Sequence, residues 1–236
     1  MYFNQSDFEI RCEWGRQGVL QLAPVSDVIV IVDVLSFSTC IDIVNSRGAI
    51  AFPYQWRDES AQAFADSLGA ELAGKRGTKR YSLSPVSLTS IAVDTKLVLP
   101  SPNGSSLSLA TNTVPTLTGC LRNCEAVALA AMNYGRKIAV IPAGEKWKDS
   151  TLRPSFEDFV GAGAIISYLQ GSLSPEAQLA VAAYQGVRKT LTNLIKQCGS
   201  GKELIARGFE RDIELAAELN ISNCVPTLIE GAYRSQ

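Results

Sequence analysis

Five β-branched residues in a row, Val28-Ile29-Val30-Ile31-Val32, end abruptly in a carboxylate, Asp33. A run of this kind has no polar face, so it reads as a strand buried on both sides. Such strands belong to parallel α/β sheets, where ligands sit just beyond the strands' carboxyl ends. Asp33 stands at that end. After Val34 and Leu35 come Ser36-Phe37-Ser38-Thr39-Cys40, small or hydroxyl-bearing residues around one aromatic. An acid followed by hydroxyls that open a helix suits a metal ion and an anion held side by side. Asp33 would also serve as a plain N-cap, and Ser38 and Thr39 can cap as readily as bind.

The rest of the chain supplies matching parts. Apolar strand-like runs fall at 8–12, 28–33, 49–53, 96–99, 137–142 and 225–229. Helical patterns fall at 38–45, 58–68, 104–110, 121–134, 155–169 and 175–187, with a final pair near 202–219. This alternation predicts a three-layer α/β/α fold with a largely parallel or mixed sheet. The 236 residues suffice for one α/β domain over 1–236, or for two lobes with a crossover near 143–154.

Two further strands end in loops fit for ligands. Leu97-Val98-Leu99-Pro100 breaks at Ser101-Pro102 and restarts as a helix after Asn103-Gly104-Ser105. Asn-Gly favours a tight turn, and the N–H groups at a helix start bind phosphate well. Ile138-Ala139-Val140-Ile141-Pro142 runs into Ala143-Gly144-Glu145. With Asp33, these predict three parallel strand tips converging on one edge of the sheet. Ser155-Phe156-Glu157-Asp158 then opens a helix. Acids in a first turn are expected from the helix dipole alone, but these follow the Glu145 loop closely enough to face the same edge. Gly161-Ala162-Gly163 predicts that this helix packs closely. Cationic partners come from Lys75-Arg76-Gly77-Thr78-Lys79-Arg80, a solvated loop or an anion clamp, and from Arg122-Asn123.

Composition narrows the chemistry. There is no histidine, which removes Ser-His-Asp and Cys-His mechanisms and imidazole metal sites. Any metal is then a hard, oxygen-liking ion such as Mg²⁺. With 22 Lys and Arg against 23 Asp and Glu, the chain lacks the basic excess of a nucleic-acid binder. No leader or membrane-length apolar run is visible, so a cytoplasmic protein with six free thiols is expected. Gly69 to Lys75 has the spacing of a nucleotide P-loop, but Arg76 stands where a hydroxyl must hold Mg²⁺. The cysteines form neither a zinc pattern nor a thiol-phosphatase loop.

Taken together, Asp33-Val34-Leu35 with Ser38-Thr39, Asn103-Gly104-Ser105, Gly119-Cys120-Leu121-Arg122-Asn123, and Ala143-Gly144-Glu145 with Glu157-Asp158 resemble the 2-phosphosulfolactate phosphatase family. Ser36 is a departure, standing where the family pattern carries an arginine. The resemblance implies an enzyme, a phosphoric monoester hydrolase. It implies Mg²⁺-dependent hydrolysis of a phosphate ester on a small sulfonated or carboxylated acid, in the pathway to coenzyme M. On this reading Asp33, Glu145 and Asp158 hold the metal, and Glu145, Glu157 or Asp158 serves as ligand or base. Ser36, Ser38, Thr39, Asn103, Gly104 and Ser105 surround the phosphate, and Arg76, Arg122 and Asn123 hold the acid tail. Asp33 as a nucleophile is a second reading; Leu35 argues against it, because the haloacid-dehalogenase pattern needs an aspartate there. The expected partner is a small anionic phosphoester, with neither nucleic acid nor membrane, and a homodimer is the default assembly. The alternative function is a non-catalytic small-anion-binding protein on the same fold.

Overall fold

The computed structural model describes residues 2–56 and 58–235. In chain order come β1 (Ile10–Cys12), α1 (Gly15–Leu22), β2 (Val28–Val32), α2 (Phe37–Ser46), β3 (Ile50–Tyr54) and α3 (Glu59–Leu68). Next are β4 (Glu71–Leu72), α4 (Pro85–Leu88), β5 (Lys96–Pro100), α5 (Gly104–Ala110), β6 (Thr116–Gly119), α6 (Cys124–Ala131) and β7 (Ile138–Pro142). A small hairpin, β8 (Glu145–Lys146) and β9 (Leu152–Arg153), precedes α7 (Phe156–Ile166), α8 (Pro175–Val187), α9 (Leu191–Gln197), α10 (Gly199–Ala206) and α11 (Glu210–Ala216). The last elements are β10 (Pro226–Ile229) and β11 (Ala232–Ser235).

All six predicted strands are present. The helix expected over 121–134 is instead a 3-10 turn, Leu121–Asn123, followed by α6. The side chain of Asn123 accepts the Cys120 N–H and so fixes that turn (2.9 Å). Elements without strong periodicity, such as α1 with Gly15 and Gly18 or the four-residue β6, carry no clear sequence signal.

Nine strands form one mixed, mostly parallel sheet in the order β1-β7-β2-β6-β10-β11-β3-β5-β4. The first four are mutually parallel, and so are the last three. The hairpin β10–β11 joins the two blocks through three antiparallel pairings. Three reversals mean that β3, β5 and β4 run opposite to β2 and β7 along the sheet. The expectation of three parallel tips on one edge is therefore corrected: β2 and β7 are parallel neighbours, but β5 belongs to the opposed block. Its tip still reaches Asp33, because each strand step rotates the sheet by ~20–25° and five steps separate β2 from β5. The accumulated turn, roughly 100–125°, swings the end of β5 round toward the end of β2.

Helices cover both faces of the sheet, as a three-layer fold requires. Along β2, Val28, Val30 and Val32 pack with α6, α7 and α8. Ile29 and Ile31 point the other way, onto Val19 and Leu22 of α1 and Leu107 of α5. Both sets are fully buried, which explains why the run has no polar face. The opposed block repeats this, with Leu97 and Leu99 toward α2 and α4 and Val98 toward α3.

The close packing predicted for Gly161 and Gly163 is present on α7. A Cβ at Gly161 would lie 2.6 Å from Val34 Cγ2, and one at Gly163 would overlap the Ala180 carbonyl oxygen of α8. Gly163→Ala must therefore push two helices apart. Urea unfolding should register a loss of about 1–3 kcal/mol. Gly186→Ala, in α8 with open space around it, should instead be neutral or stabilising by up to ~1 kcal/mol.

Candidate active site

The end of β2 delivers Asp33 to the floor of a cleft. Its carboxylate is 5% exposed and accepts two backbone N–H groups. Phe37, the first residue of α2, donates to Oδ1 (3.2 Å), and Gly104, the first residue of α5, donates to Oδ2 (2.9 Å). Gly104 can approach this closely only without a side chain, because a Cβ there would collide with the Phe37 ring. The Asn103-Gly104 turn thus brings α5 within bonding range of an acid 71 residues away in the chain.

A second buried carboxylate, Asp158 on α7, lies next to this arrangement. Oδ1 accepts the Val34 N–H (2.7 Å), while Oδ2 accepts the Gly144 N–H (2.9 Å) and the Ser155 hydroxyl (2.7 Å). One side chain therefore ties together the segment after β2, the segment after β7 and the start of α7. Gly144, at φ +68°, makes the turn that sends the chain on to Glu145. Glu145 is half-buried and accepts the Asn103 amide on Oε2 (2.9 Å).

These acids resist ionising together. Burial, reinforced by the charge of Glu145, pushes Asp33 up to about 7, against the pull of its two N–H donors. Burial and then the charge of Asp33 raise Asp158 well above the usual carboxylate range. Burial raises Glu145 as well, and the Asn103 amide opposes it. A cluster of this kind attracts a proton or a cation.

The cleft encloses about 530 Å³. Asp33, Ser36, Asn103 and Glu145 line it together with the cations Lys75, Arg76 and Arg207. Arg76 is held from three sides. Its Nη2 donates to Ser36 Oγ (2.7 Å), its Nε faces Asp212 Oδ2 (3.5 Å), and its guanidinium carbon lies 5.7 Å from the centre of the Phe209 ring. Asp212 is almost fully buried on α11, and its Oδ1 accepts the Ser84 hydroxyl (2.6 Å) and the Val86 N–H (3.1 Å). The C-terminal helices thus fasten the basic loop over the cleft. An arginine fixed in this way spends little conformational entropy when it grips an anion.

Of the residues singled out in the sequence, the structure brings Asp33, Ser36, Arg76, Asn103 and Glu145 into the cleft, with Gly104 bonded to Asp33. Glu157 is buried on α7 beside Cys198, whose thiol donates to Oε2 (3.3 Å). Ser38, Thr39 and Ser105 are wholly buried, and their hydroxyls bond inward. Ser38 meets Thr118 (2.7 Å), Thr39 donates to the Val34 carbonyl (2.8 Å), and Ser105 donates to the Leu99 carbonyl (3.0 Å). Arg122 lies outside the cleft, in ion pairs with Asp42 (2.8 Å) and Glu218. Asn123 braces its own turn and donates to the Cys224 carbonyl (3.0 Å). Sequence reasoning missed Glu203 and Arg207, which line the cleft from α10 and its C-terminal end. It also missed Asp212. Lys75 reads in the sequence only as part of a basic run. Among the described residues, no group of three or more Asp, Glu or Cys side chains is arranged to hold a metal by itself.

The fold is that of a three-layer α/β protein, and its relatives place it in the phosphoric monoester hydrolase class. The family model for 2-phosphosulpholactate phosphatase matches residues 18–231, and the chain belongs to that family. It is 30% identical over 210 residues to the 2-phosphosulfolactate phosphatase of Methanothermobacter thermautotrophicus, covering 87% of this chain and 88% of that one. A probable 2-phosphosulfolactate phosphatase of Carboxydothermus hydrogenoformans is 30% identical over 84% of each chain. One from Pseudothermotoga lettingae is 26% identical over 90% of this chain and 95% of its own. Among the described residues, no helix is long and apolar enough to cross a membrane.

Two variants test the roles assigned here. Asp158→Ala leaves the Val34 and Gly144 N–H groups and the Ser155 hydroxyl without their acceptor. It should lower unfolding free energy by about 2–4 kcal/mol in urea titrations. Asp212→Asn keeps the shape of α11 but removes the charge facing Arg76. Binding of inorganic phosphate or a small acid, read by calorimetry, should weaken several-fold while the melting temperature moves by only a few degrees.

Proposed function

We propose that this cleft hydrolyses the phosphate ester of a small sulfonated or carboxylated acid, as the names of its relatives suggest, with Mg²⁺ as cofactor. What supports the reading is the presence in one cavity of three carboxylates, Asp33, Glu145 and Glu203, and three cations, Lys75, Arg76 and Arg207. Mg²⁺ is commonly held by one or two carboxylates, with water and substrate phosphate completing its shell. Asp33 and Glu145 meet that requirement without a third protein acid. Their raised pKa values fit as well, since a divalent ion supplies the positive charge that burial withholds.

Asp33 and Glu145 would hold the ion, and Asn103 fixes the orientation of Glu145. A bound Mg²⁺ would supply neutralisation of the phosphoryl charge and a more acidic water. Lys75 and Arg207 would meet phosphate oxygens. Arg76 would grip the sulfonate or carboxylate tail with the edge of its guanidinium left free by Ser36 and Asp212. Ser36 stands where the family pattern has an arginine, and Arg76 brings a guanidinium to that same place from another loop. Asp158 positions the loops and does not touch the substrate.

Phosphate release from 2-phosphosulfolactate and 2-phospholactate, with Mg²⁺ and with EDTA, is the direct test. Asp33→Asn should reduce kcat by at least about a hundredfold; unchanged turnover would sink the assignment. Tight binding with no turnover under any divalent ion would favour an anion-binding protein instead.

The pH dependence follows from the sign of the Asp33 shift. A carboxyl raised from 3.8 to about 7 binds its proton more tightly in the folded chain than in the unfolded one. Its contribution to stability is complete below about 4 and is lost as pH rises through about 7. In EDTA, wild type should therefore lose stability relative to Asp33→Asn between pH 5 and 8. The rise in melting temperature on adding Mg²⁺ should be larger at pH 8 than at pH 6.

A further inference from the structure

We infer that the cleft continues into a second subsite that takes an apolar substituent of the phosphoester, so the preferred substrate is larger than a three-carbon acid. The inference rests on the phosphoester reading and deepens it. Beside the main cleft lies a second cavity of about 300 Å³. The two share Gln55, Pro102, Asn103 and Glu145 as a common wall. A phosphate held near Glu145 would adjoin both spaces. Cavities of this volume are typical of sites that enclose a whole small ligand, so the pair offers more room than a phosphorylated lactate occupies.

The chemistry changes across the shared wall. The main cleft carries Asp33 and three cations, whereas the second is walled by Trp14, Leu107, Ala143 and Leu152. Leu107 and Ala143 are almost completely buried and belong to the core cluster between α1, α5 and the sheet, which makes that wall rigid. Trp14 is held by stacking on Phe159, with ring centres 5.4 Å apart. Gly15, at φ +58°, keeps the adjoining wall thin, since a Cβ there would lie 3.2 Å from Leu152 Cδ1. The exposed residues Arg16, Gln17, Lys146 and Ser150 line its mouth, and Ser106 adds one hydroxyl to the wall. An apolar group entering here would leave water for a preformed apolar surface, and the phosphate would remain beside Glu145.

Hydrolysis of 2-phospho-3-phenyllactate compared with 2-phospholactate tests this. The phenyl compound should show a kcat/KM about tenfold higher or more. Gln17→Trp and Leu152→Trp place a large ring in the second cavity from exposed positions that the mechanism does not use. Each should erase the phenyl advantage and leave 2-phospholactate hydrolysis unchanged. Equal or poorer use of the phenyl ester, or a preference that survives both variants, overturns the subsite. If neither ester is hydrolysed, the phosphatase reading fails and the subsite is judged by calorimetry with the intact esters. A tenfold tighter Kd for the phenyl compound, lost in both variants, sustains it, and equal Kd values overturn it.

Discussion

Two carboxylates buried next to one another at the end of β2 tie together the segments that form the cleft. Asp33 joins the starts of α2 and α5, while Asp158 joins the ends of β2 and β7 to the start of α7. Five N–H and O–H donors serve the pair, and none of them comes from an arginine or lysine. Neutral dipoles hold the acids in position without cancelling their charge. A salt bridge would favour their ionised forms; with neutral donors alone, burial keeps both carboxyls above their usual range. The pKa of Asp33 is raised because burial and the charge of Glu145 outweigh the pull of its two N–H donors.

The sheet makes the arrangement reachable. If the strands lay flat, the opposed block would put the tip of β5 at the far end of the molecule from Asp33. The coiling across β6, β10, β11 and β3 turns that tip back, and Gly104 closes the gap because it has no side chain to strike Phe37. The cleft therefore depends on the C-terminal hairpin in the middle of the sheet, although that hairpin contributes no lining residue. The C-terminal helices act in the same way on the opposite charge. Asp212 and Phe209 fix Arg76, and Arg207 comes from the same stretch of chain.

How far this was legible in the sequence follows from the range of each signal. The β2 run and the two loops after β5 and β7 declare themselves locally, through apolar runs that end in Asp, Asn-Gly or Gly-Glu. Asp33, Asn103 and Glu145 were therefore within reach of sequence reasoning, as was the close packing at Gly163. The hydroxyls of Ser38, Thr39 and Ser105 looked like phosphate ligands because a ligand and an internal cap have the same composition; only the direction in which they point separates them. Arg122 looked like a clamp because its partners, Asp42 and Glu218, lie 80 and 96 residues away. Glu203 and Arg207 sit in an ordinary helix end whose position over the cleft is set by tertiary packing alone. The antiparallel placement of the second block depended on β11, a four-residue strand with no pattern of its own.

Ser36 shows why a motif and a site are different things. Read along the chain, Ser36 beside Asp33, where the family resemblance leads one to expect an arginine, looks like a missing cation. In space a guanidinium stands there from the other side, because the small Ser36 side chain leaves room for Arg76 and offers it an oxygen. The substitute differs from an arginine at position 36 in what anchors it. A side chain at 36 would move with the Asp33 loop, whereas Arg76 is fastened to Asp212 and Phe209 on the C-terminal helices. The acid and the cation of the cleft are thereby carried by separate parts of the fold. Their separation, and with it the length of substrate they can span, is set by how the C-terminal helices pack against the sheet. On the proposed function, substrate choice would depend less on the motif around Asp33 than on the contacts that hold Arg76 in place.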